Sequence, residues 1–135
     1  MKKIISLILA LVMCVSCCLM FTGCGEKDAY TVGICQLMEH PALGAATQGF
    51  MDAVKEALGE ENVTFDVQIA AGDSNTCSNI VLDFVADEVD LILANATPAL
   101  QAAAAATEDI PILGTSVTEY GVALEIKDFK GTVGG

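Results

Sequence analysis

Short polar side chains that could hold a small ligand follow four apolar stretches of the chain. They are hydroxyls, amides, one imidazole and the first residues of predicted helices: Gln36 and His40, then Ser74 and Asn75, then Thr97 and Pro98, and finally Thr115, Ser116 and Thr118. A helix N-terminus offers unpaired N–H groups and a partial positive charge, which suit a carboxylate or a phosphate. The chemistry that this set indicates is capture of a small polar molecule.

Each of these residues also has an ordinary structural interpretation, and the sequence leaves both open. The Thr97 hydroxyl and the N–H groups that follow Pro98 could point at one anion, or Thr97 could simply cap a helix. Ser116 and Thr118 could bind a ligand or shape a turn. Gln36 could bond the amide or ammonium group of a ligand, or it could be satisfied within its own loop.

The sequence contains no residue pattern that indicates catalysis or a cofactor. No nearby Ser, Cys or Asp completes a triad with His40, so a capping or pocket-lining role is favoured over general-base chemistry. The first strand-to-helix turn lacks a Gly-x-Gly-x-x-Gly run, and no P-loop is present. A structural zinc site needs about four Cys or His ligands, whereas the chain has one His and only two cysteines in its folded part. We therefore expect a binding protein without metal or cofactor, and not an enzyme.

Hydrophobic periodicity predicts strands that alternate with helices. The strands are Tyr30–Gln36, Val63–Ala70, Leu91–Ala94 and Ile112–Ser116, with a further short one near Val122–Ile126; the helices run from Pro41 to about Leu58, from the turn at Asp73–Asn75 to about Asp87, and from an N-cap at Thr97 through Ala106. This alternation predicts an α/β fold, a parallel sheet with helices on both faces. Ligands bind beyond the carboxyl ends of such strands, so all four polar segments are expected at one edge.

The N-terminal segment has the layout of an export signal. Lys2 and Lys3 precede an apolar run from Ile4 to Met20, and Phe21-Thr22-Gly23-Cys24 resembles a lipobox. We predict a signal peptide over residues 1–23, a lipid-bearing Cys24, a lipid-anchored tether over 24–29 and a folded part over 30–135. Two acyl chains, such as palmitate, hold a protein firmly on a membrane. A signal anchor with chance cysteines is the alternative.

Charge and cysteine placement narrow the environment further. The chain carries 6 basic and 18 acidic residues, and losing both N-terminal lysines leaves 4 against 18, a net charge of −14. Such a surface repels nucleic acid. Only Cys35 and Cys77 fall within the folded part, which is too few for a disulfide framework. We predict two free thiols.

Several segments in order resemble ABC transporter substrate-binding proteins of the tryptophan/tyrosine type. They are Val32–Gln36 with Glu39–Leu43, Gln48–Asp52, Ala71–Asp73, Val85–Asp87 with Asp90–Ala94 and Ala96–Ala99, and Asp109–Ile112 with Thr115–Thr118. Two positions depart from the family pattern. Gly44 stands in place of an Asp, and Glu119-Tyr120 stands in place of Asp-Pro.

The resemblance implies the first lobe of a two-lobed, type I periplasmic-binding-protein-like domain, truncated before its second lobe. It implies capture of a small molecule, with tryptophan, tyrosine or phenylalanine as candidates, for delivery to an ABC permease. The place of action would be the extracytoplasmic face of a bacterial membrane. A tethered sensory receptor of the same fold is the alternative function, with an α/β enzyme behind it.

Overall fold

The computed structural model describes residues 29–126. The strands are β1 (Tyr30–Gln36), β2 (Val63–Ile69), β3 (Leu91–Asn95) and β4 (Ile112–Thr115), and the helices are α1 (Pro41–Leu58), α2 (Ser74–Ala86), α3 (Thr97–Ala106) and α4 (Tyr120–Ala123), with one 3₁₀ turn at Glu60–Asn62. The predicted signal peptide, Cys24 and all of the tether except Ala29 lie outside the described residues. No helix within 29–126 is both long enough and apolar enough to cross a bilayer.

The four strands form one parallel sheet in the order β2-β1-β3-β4. The chain moves outward from β1 to β2, returns past β1 to β3, and then continues outward to β4. The connections that leave β1 and β3 therefore diverge, and a ligand crevice is expected between them at the carboxyl ends of these two strands. The predicted α/β fold with a parallel sheet is confirmed.

Two apolar clusters cover the opposite faces of the sheet. On one face α1 packs Phe50 and Val54 against a small cluster that includes Ile34 and Leu93. On the other face α2 and α3 cover a larger cluster centred on Phe84. The alanines of α3 let this helix approach closely, and three of them are buried: Ala99, Ala102 and Ala103. Helices on both faces are what the predicted right-handed crossovers require.

Close packing explains a glycine inside β1. A Cβ atom built on Gly33 would lie 2.6 Å from Cδ2 of Phe84, a distance that real Cβ contacts do not show. Phe84 is itself fully buried beneath the sheet. The missing side chain therefore gives the ring its space, and α2 sits closer to β1 than any larger residue would allow.

The prediction of a further strand near Val122–Ile126 is wrong. Tyr120–Ala123 forms a short helix instead, which contacts α3 and bonds to β4 through Tyr120. Tyr120 donates its hydroxyl to the Gly114 carbonyl at 2.6 Å, and Gln101 Nε2 donates to the Ala123 carbonyl at 3.0 Å. The segment is thereby held beside α3. Among the described residues β4 pairs with β3 and with no strand on its outer side.

Two further expectations need small corrections. Ala96, not Thr97, is the N-cap of α3, because the chain turns at Ala96 with a φ of 100° and Thr97 is already helical. Strands β2 and β4 each end one residue before the predicted bound. Ser116 leaves the strand because its φ is 57°. The last residues of β2 are also more exposed than a core strand, with Val67 41% and Ile69 39% exposed.

Candidate functional site

Backbone hydrogen bonds bring the four polar segments to one edge of the sheet. The N–H of Ala70 donates to Gln36 at 2.9 Å, that of Leu37 to Asn95 at 3.2 Å, and that of Ala96 to Thr115 at 2.9 Å. Each bond joins neighbouring strands at their carboxyl ends. The segments after β2 and β4 stand three strand spacings apart, about 14 Å. The segments after β1 and β3 flank the central crevice.

Unusual backbone conformations mark the same edge. Ala71, Ala96 and Ser116 follow three of the four strands, and each has a positive φ. The conformation of Ala96 is the most demanding, since a φ of 100° with a ψ of 160° belongs almost entirely to glycine. Such conformations cost roughly 1–3 kcal/mol each and cluster at ligand sites. The turns at this edge are therefore held by the surrounding structure against their local preference.

A cavity of about 460 Å³ opens where β1 meets the start of α1. Its lining residues come from both elements and from the end of β2: Gln36, Glu39, His40, Pro41, Gly44 and Ile69. His40 is the N-cap of α1, and its Nδ1 accepts the Ala42 N–H at 3.1 Å. The imidazole thus caps the helix and also lines the cavity, the two roles favoured over catalysis. A Cβ on Gly44 would meet nothing within 4 Å.

The three long helices begin differently, and the difference affects anion binding. Asp73 caps α2, accepting the N–H groups of Asn75 and Thr76 and the Thr76 hydroxyl. The Thr76 hydroxyl and then the Asn75 N–H lower the pKa of Asp73. A carboxylate of the chain therefore occupies this N-terminus already. By contrast, no side chain caps α3. The start of α3 is the terminus best suited to an anion.

The remaining predicted residues lie at the starts of α3 and α2 and at or beyond the end of β4. Thr97 and Pro98, half-buried, form the first turn of α3. Thr115 is also half-buried and fixes the Ala96 turn through its carbonyl. Ser74 is exposed, as is Asn75, at the start of α2. Ser116 and Thr118 are exposed at the other end, beyond β4.

A buried chain of polar side chains lies beneath the crevice, and sequence reasoning missed two of its members. Thr47 donates its hydroxyl to Gln36 Oε1 at 2.8 Å and accepts from Asn95 Nδ2 at 2.9 Å. Thr47 shares a helical stripe with Leu43, Phe50 and Val54, and that periodicity marks it as facing inward. A hydroxyl on an apolar stripe is the signal that could have identified it.

The two cysteines lie in the core below the site. Cys35 and Cys77 are both free, and both are fully buried. Burial raises the pKa of Cys35 to about 12, with a further contribution from the neighbouring Cys77. Burial also raises the pKa of Cys77. Both thiols therefore stay protonated at neutral pH and behave as small apolar side chains.

Comparisons with known proteins agree on the family. A family model described as an ABC transporter substrate binding protein matches residues 31–133. A tyrosine-binding protein of Clostridioides difficile (strain R20291) is 39% identical, in an alignment that covers 99% of this chain and 44% of the relative. The chain thus spans less than half the length of that relative.

Solved structures of substrate-binding proteins share the fold. The ligand-free, open structure of a substrate-binding protein with adhesive properties from Clostridium difficile aligns with a TM-score of 0.69 and 42% identity, over 75% of this chain and 35% of that one. An ABC domain from Streptococcus pneumonia in complex with L-Trp aligns with a TM-score of 0.66 and 29% identity, over 70% of this chain and 32% of that one. By its sequence and by its fold, this chain belongs to the ABC transporter substrate-binding protein family.

Proposed function

We propose that this chain supplies one wall of the binding site for an aromatic amino acid in an ABC importer. The observation that carries the proposal is the reversal of strand order between β1 and β3, with the uncapped N-terminus of α3 on one side and the cavity at the start of α1 on the other. The 39% identity to a tyrosine-binding protein points to tyrosine first, with tryptophan and phenylalanine as the other candidates. Binding, not catalysis, is the proposed activity.

The charged groups of an amino acid match the two sides of the crevice. At the start of α3, free N–H groups and the Thr97 hydroxyl suit the carboxylate. Glu39 lines the cavity on the other side, and its carboxylate suits the α-ammonium group. Gln36 and His40 line the same cavity. We therefore place the amino-acid backbone across the crevice, between α3 and the start of α1.

The other predicted residues take flanking positions in this proposal. Ser74 and Asn75 lie at the start of α2, after β2, and Thr115, Ser116 and Thr118 lie at and beyond the end of β4. Neighbouring strands are about 4.8 Å apart, so these residues would contact only the ends of a ligand centred between β1 and β3. His40, Thr97 and Pro98 carry the central contacts, and Gln36, whose amide already bonds Thr47 and Met38, holds the turn that leads to His40.

The same proposal extends to the place of action. We propose a signal peptide over residues 1–23, a lipid on Cys24, a tether over 24–29 and one lobe of a two-lobed domain over 30–135, with an ABC permease as the partner at the extracytoplasmic face. Cys24→Ser should abolish labelling by a palmitate analogue in cells and leave the precursor uncleaved. Continued labelling of that variant would exclude Cys24 as the lipid site.

Calorimetric titration of the complete protein tests the ligand. We expect L-tyrosine, L-tryptophan or L-phenylalanine to bind more tightly than L-leucine. Tyramine keeps the ring and the ammonium group but lacks the carboxylate, so it should bind about 10- to 100-fold more weakly than L-tyrosine if charged hydrogen bonds at α3 are lost. The matched variants Thr97→Val and Thr97→Ser separate the hydroxyl from the side-chain shape. Equal affinity for tyramine and L-tyrosine would contradict the placement of the carboxylate.

A further inference from the structure

Three polar side chains form one connected chain in the interior. Gln36, Thr47 and Asn95 are 4%, 6% and 0% exposed. Thr47 is the central link, since its hydroxyl donates to Gln36 and accepts from Asn95. At one end Gln36 Nε2 donates to the Met38 carbonyl at 2.8 Å, and at the other Asn95 Nδ2 also donates to the Leu43 carbonyl at 2.8 Å. We call this set the Gln36–Thr47–Asn95 relay.

The relay lies at the point where the strand order reverses. Gln36 and Asn95 are the last residues of β1 and β3, and they are register partners across the parallel pair. Thr47 reaches both of them from the second turn of α1. The relay therefore connects the two strands that flank the crevice with the helix that begins at it.

The relay costs folding free energy that an apolar core of the same shape would avoid. Among the described residues, Oδ1 of Asn95 is buried without a hydrogen-bond partner. A buried polar atom left unpaired costs free energy, and apolar side chains of similar shape would avoid that cost. A hydroxyl at Thr47 is required only if Gln36 and Asn95 must be held, because it is the group that both donates to one and accepts from the other.

We propose that Thr47 is a positioning residue for the ligand, acting through Gln36. This inference rests on the proposed function. Gln36 lines the cavity, whereas Thr47 does not. With Thr47 bonded to Oε1 and Met38 bonded to Nε2, the Gln36 amide has one orientation, and the turn that leads to Glu39 and His40 is fixed with it. Holding these groups in place before the ligand arrives lowers the entropic cost of binding.

The test compares Thr47→Val with Thr47→Ser in the complete protein. Valine keeps the branched shape and removes the hydroxyl, whereas serine keeps the hydroxyl. We expect Thr47→Val to raise the Kd for L-tyrosine by about two- to tenfold, the loss expected for one hydrogen bond, and Thr47→Ser to restore it. In a Gln36→Met background, Thr47→Val should cost nothing more, because the group through which it acts is gone.

A second measurement does not depend on any ligand. The Leu37 N–H donates to Asn95, and the Gly72 N–H donates to Leu37 at 2.7 Å, so both amides report on the turn after β1. The Asp90 N–H donates to Thr31 at 2.8 Å at the opposite edge and serves as the reference. We expect amide hydrogen exchange in Thr47→Val to accelerate at Leu37 and Gly72 relative to Asp90.

The outcomes separate this inference from the proposed function. Unchanged affinity in Thr47→Val, or exchange that changes equally at all three amides, would overturn the positioning role and leave the proposed function standing. If the unaltered protein binds none of the aromatic amino acids, the proposed function fails. Selective acceleration at Leu37 and Gly72, reversed by Thr47→Ser, then still supports the relay as the device that holds this turn, and uniform exchange overturns it.

Discussion

At the scale of single residues, the site is defined as much by what its polar groups already bond as by which groups are present. Asp73 occupies the N–H groups at the start of α2, and His40 takes the Ala42 N–H at the start of α1. No side chain caps α3. Three helix N-termini that look alike in the sequence are therefore unequal, and only one is left open for an anion.

Burial of the Cys35 thiol makes the stability of the fold depend on pH. The pKa of Cys35 is raised to about 12 by burial, from an ordinary value of 9.0. Between these two values the unfolded chain loses its thiol proton and the folded chain keeps it, so the free energy of unfolding must fall as the pH rises above 9. Below pH 9 the thiol keeps its proton in both states, so its full contribution to the free energy of unfolding is retained.

Chemical denaturation at several pH values measures this effect. In Cys35→Ala the fall in stability above pH 9 should be smaller than in the unaltered protein, and the fall that remains comes from Cys77 and the other groups that titrate there. Folded protein should also resist alkylation at Cys35 near neutral pH and react in urea, as mass spectrometry would show. Rapid alkylation of the folded protein would contradict the burial of this thiol.

At the scale of the elements, two glycines of similar appearance have opposite roles. Gly33 lies in β1, where an added Cβ would meet the Phe84 ring at 2.6 Å. Gly49 lies within α1 and has nothing within 4 Å of an added Cβ. Since glycine in a helix interior is less stable than alanine by about 0.5–1 kcal/mol, Gly49→Ala should raise the free energy of unfolding by that amount.

Gly33→Ala is the matched opposite change. The alanine methyl must displace Phe84 or push α2 away from the sheet, and overpacking of this kind costs about 1–3 kcal/mol. Urea denaturation of the two variants gives both values. A stabilising Gly33→Ala would show that the close approach of α2 to β1 is not what the structure describes.

Elements whose conformation is set by local sequence signals could be predicted from the sequence. Pro41 at the start of α1 and the alternation of Tyr30–Gln36 are local signals, and both bounds are confirmed. The strand predicted near Val122–Ile126 was wrong because the conformation of this segment depends on distant groups. Gln101 donates to the Ala123 carbonyl, and the Tyr120 hydroxyl donates to the Gly114 carbonyl. A local run of β-branched or apolar residues does not predict such long-range contacts.

The same division holds for the candidate site. Parallel topology alone predicts that the four polar segments share one edge, and the structure brings them there. Thr47 and Asn95 were missed because their importance comes from the register of β1 with β3, which a single sequence does not state. Their contact is between residues that are 48 positions apart in the chain.

At the scale of the whole molecule, the surface beside β4 differs in polarity from the site between β1 and β3. The outer edge of β4 borders a mostly apolar groove of about 480 Å³, and Leu113 is 47% exposed there. The site between β1 and β3 differs in character, since carboxylate, imidazole and amide groups line the cavity on one side of it and the uncapped N-terminus of α3 lies on the other. We therefore expect an amino acid to bind between β1 and β3 and not in the apolar groove beside β4.

The most direct test of this expectation is an NMR titration of the isotopically labelled protein with L-tyrosine. We predict that the largest amide shifts fall in residues 36–44 and 95–97, with small shifts at Thr31 and Asp90 on the opposite edge of the sheet. Thr97→Val should reduce the shifts at the start of α3 while the fold of the protein is retained. Largest shifts at Leu113 and Gly114, in the apolar groove beside β4, would contradict the account.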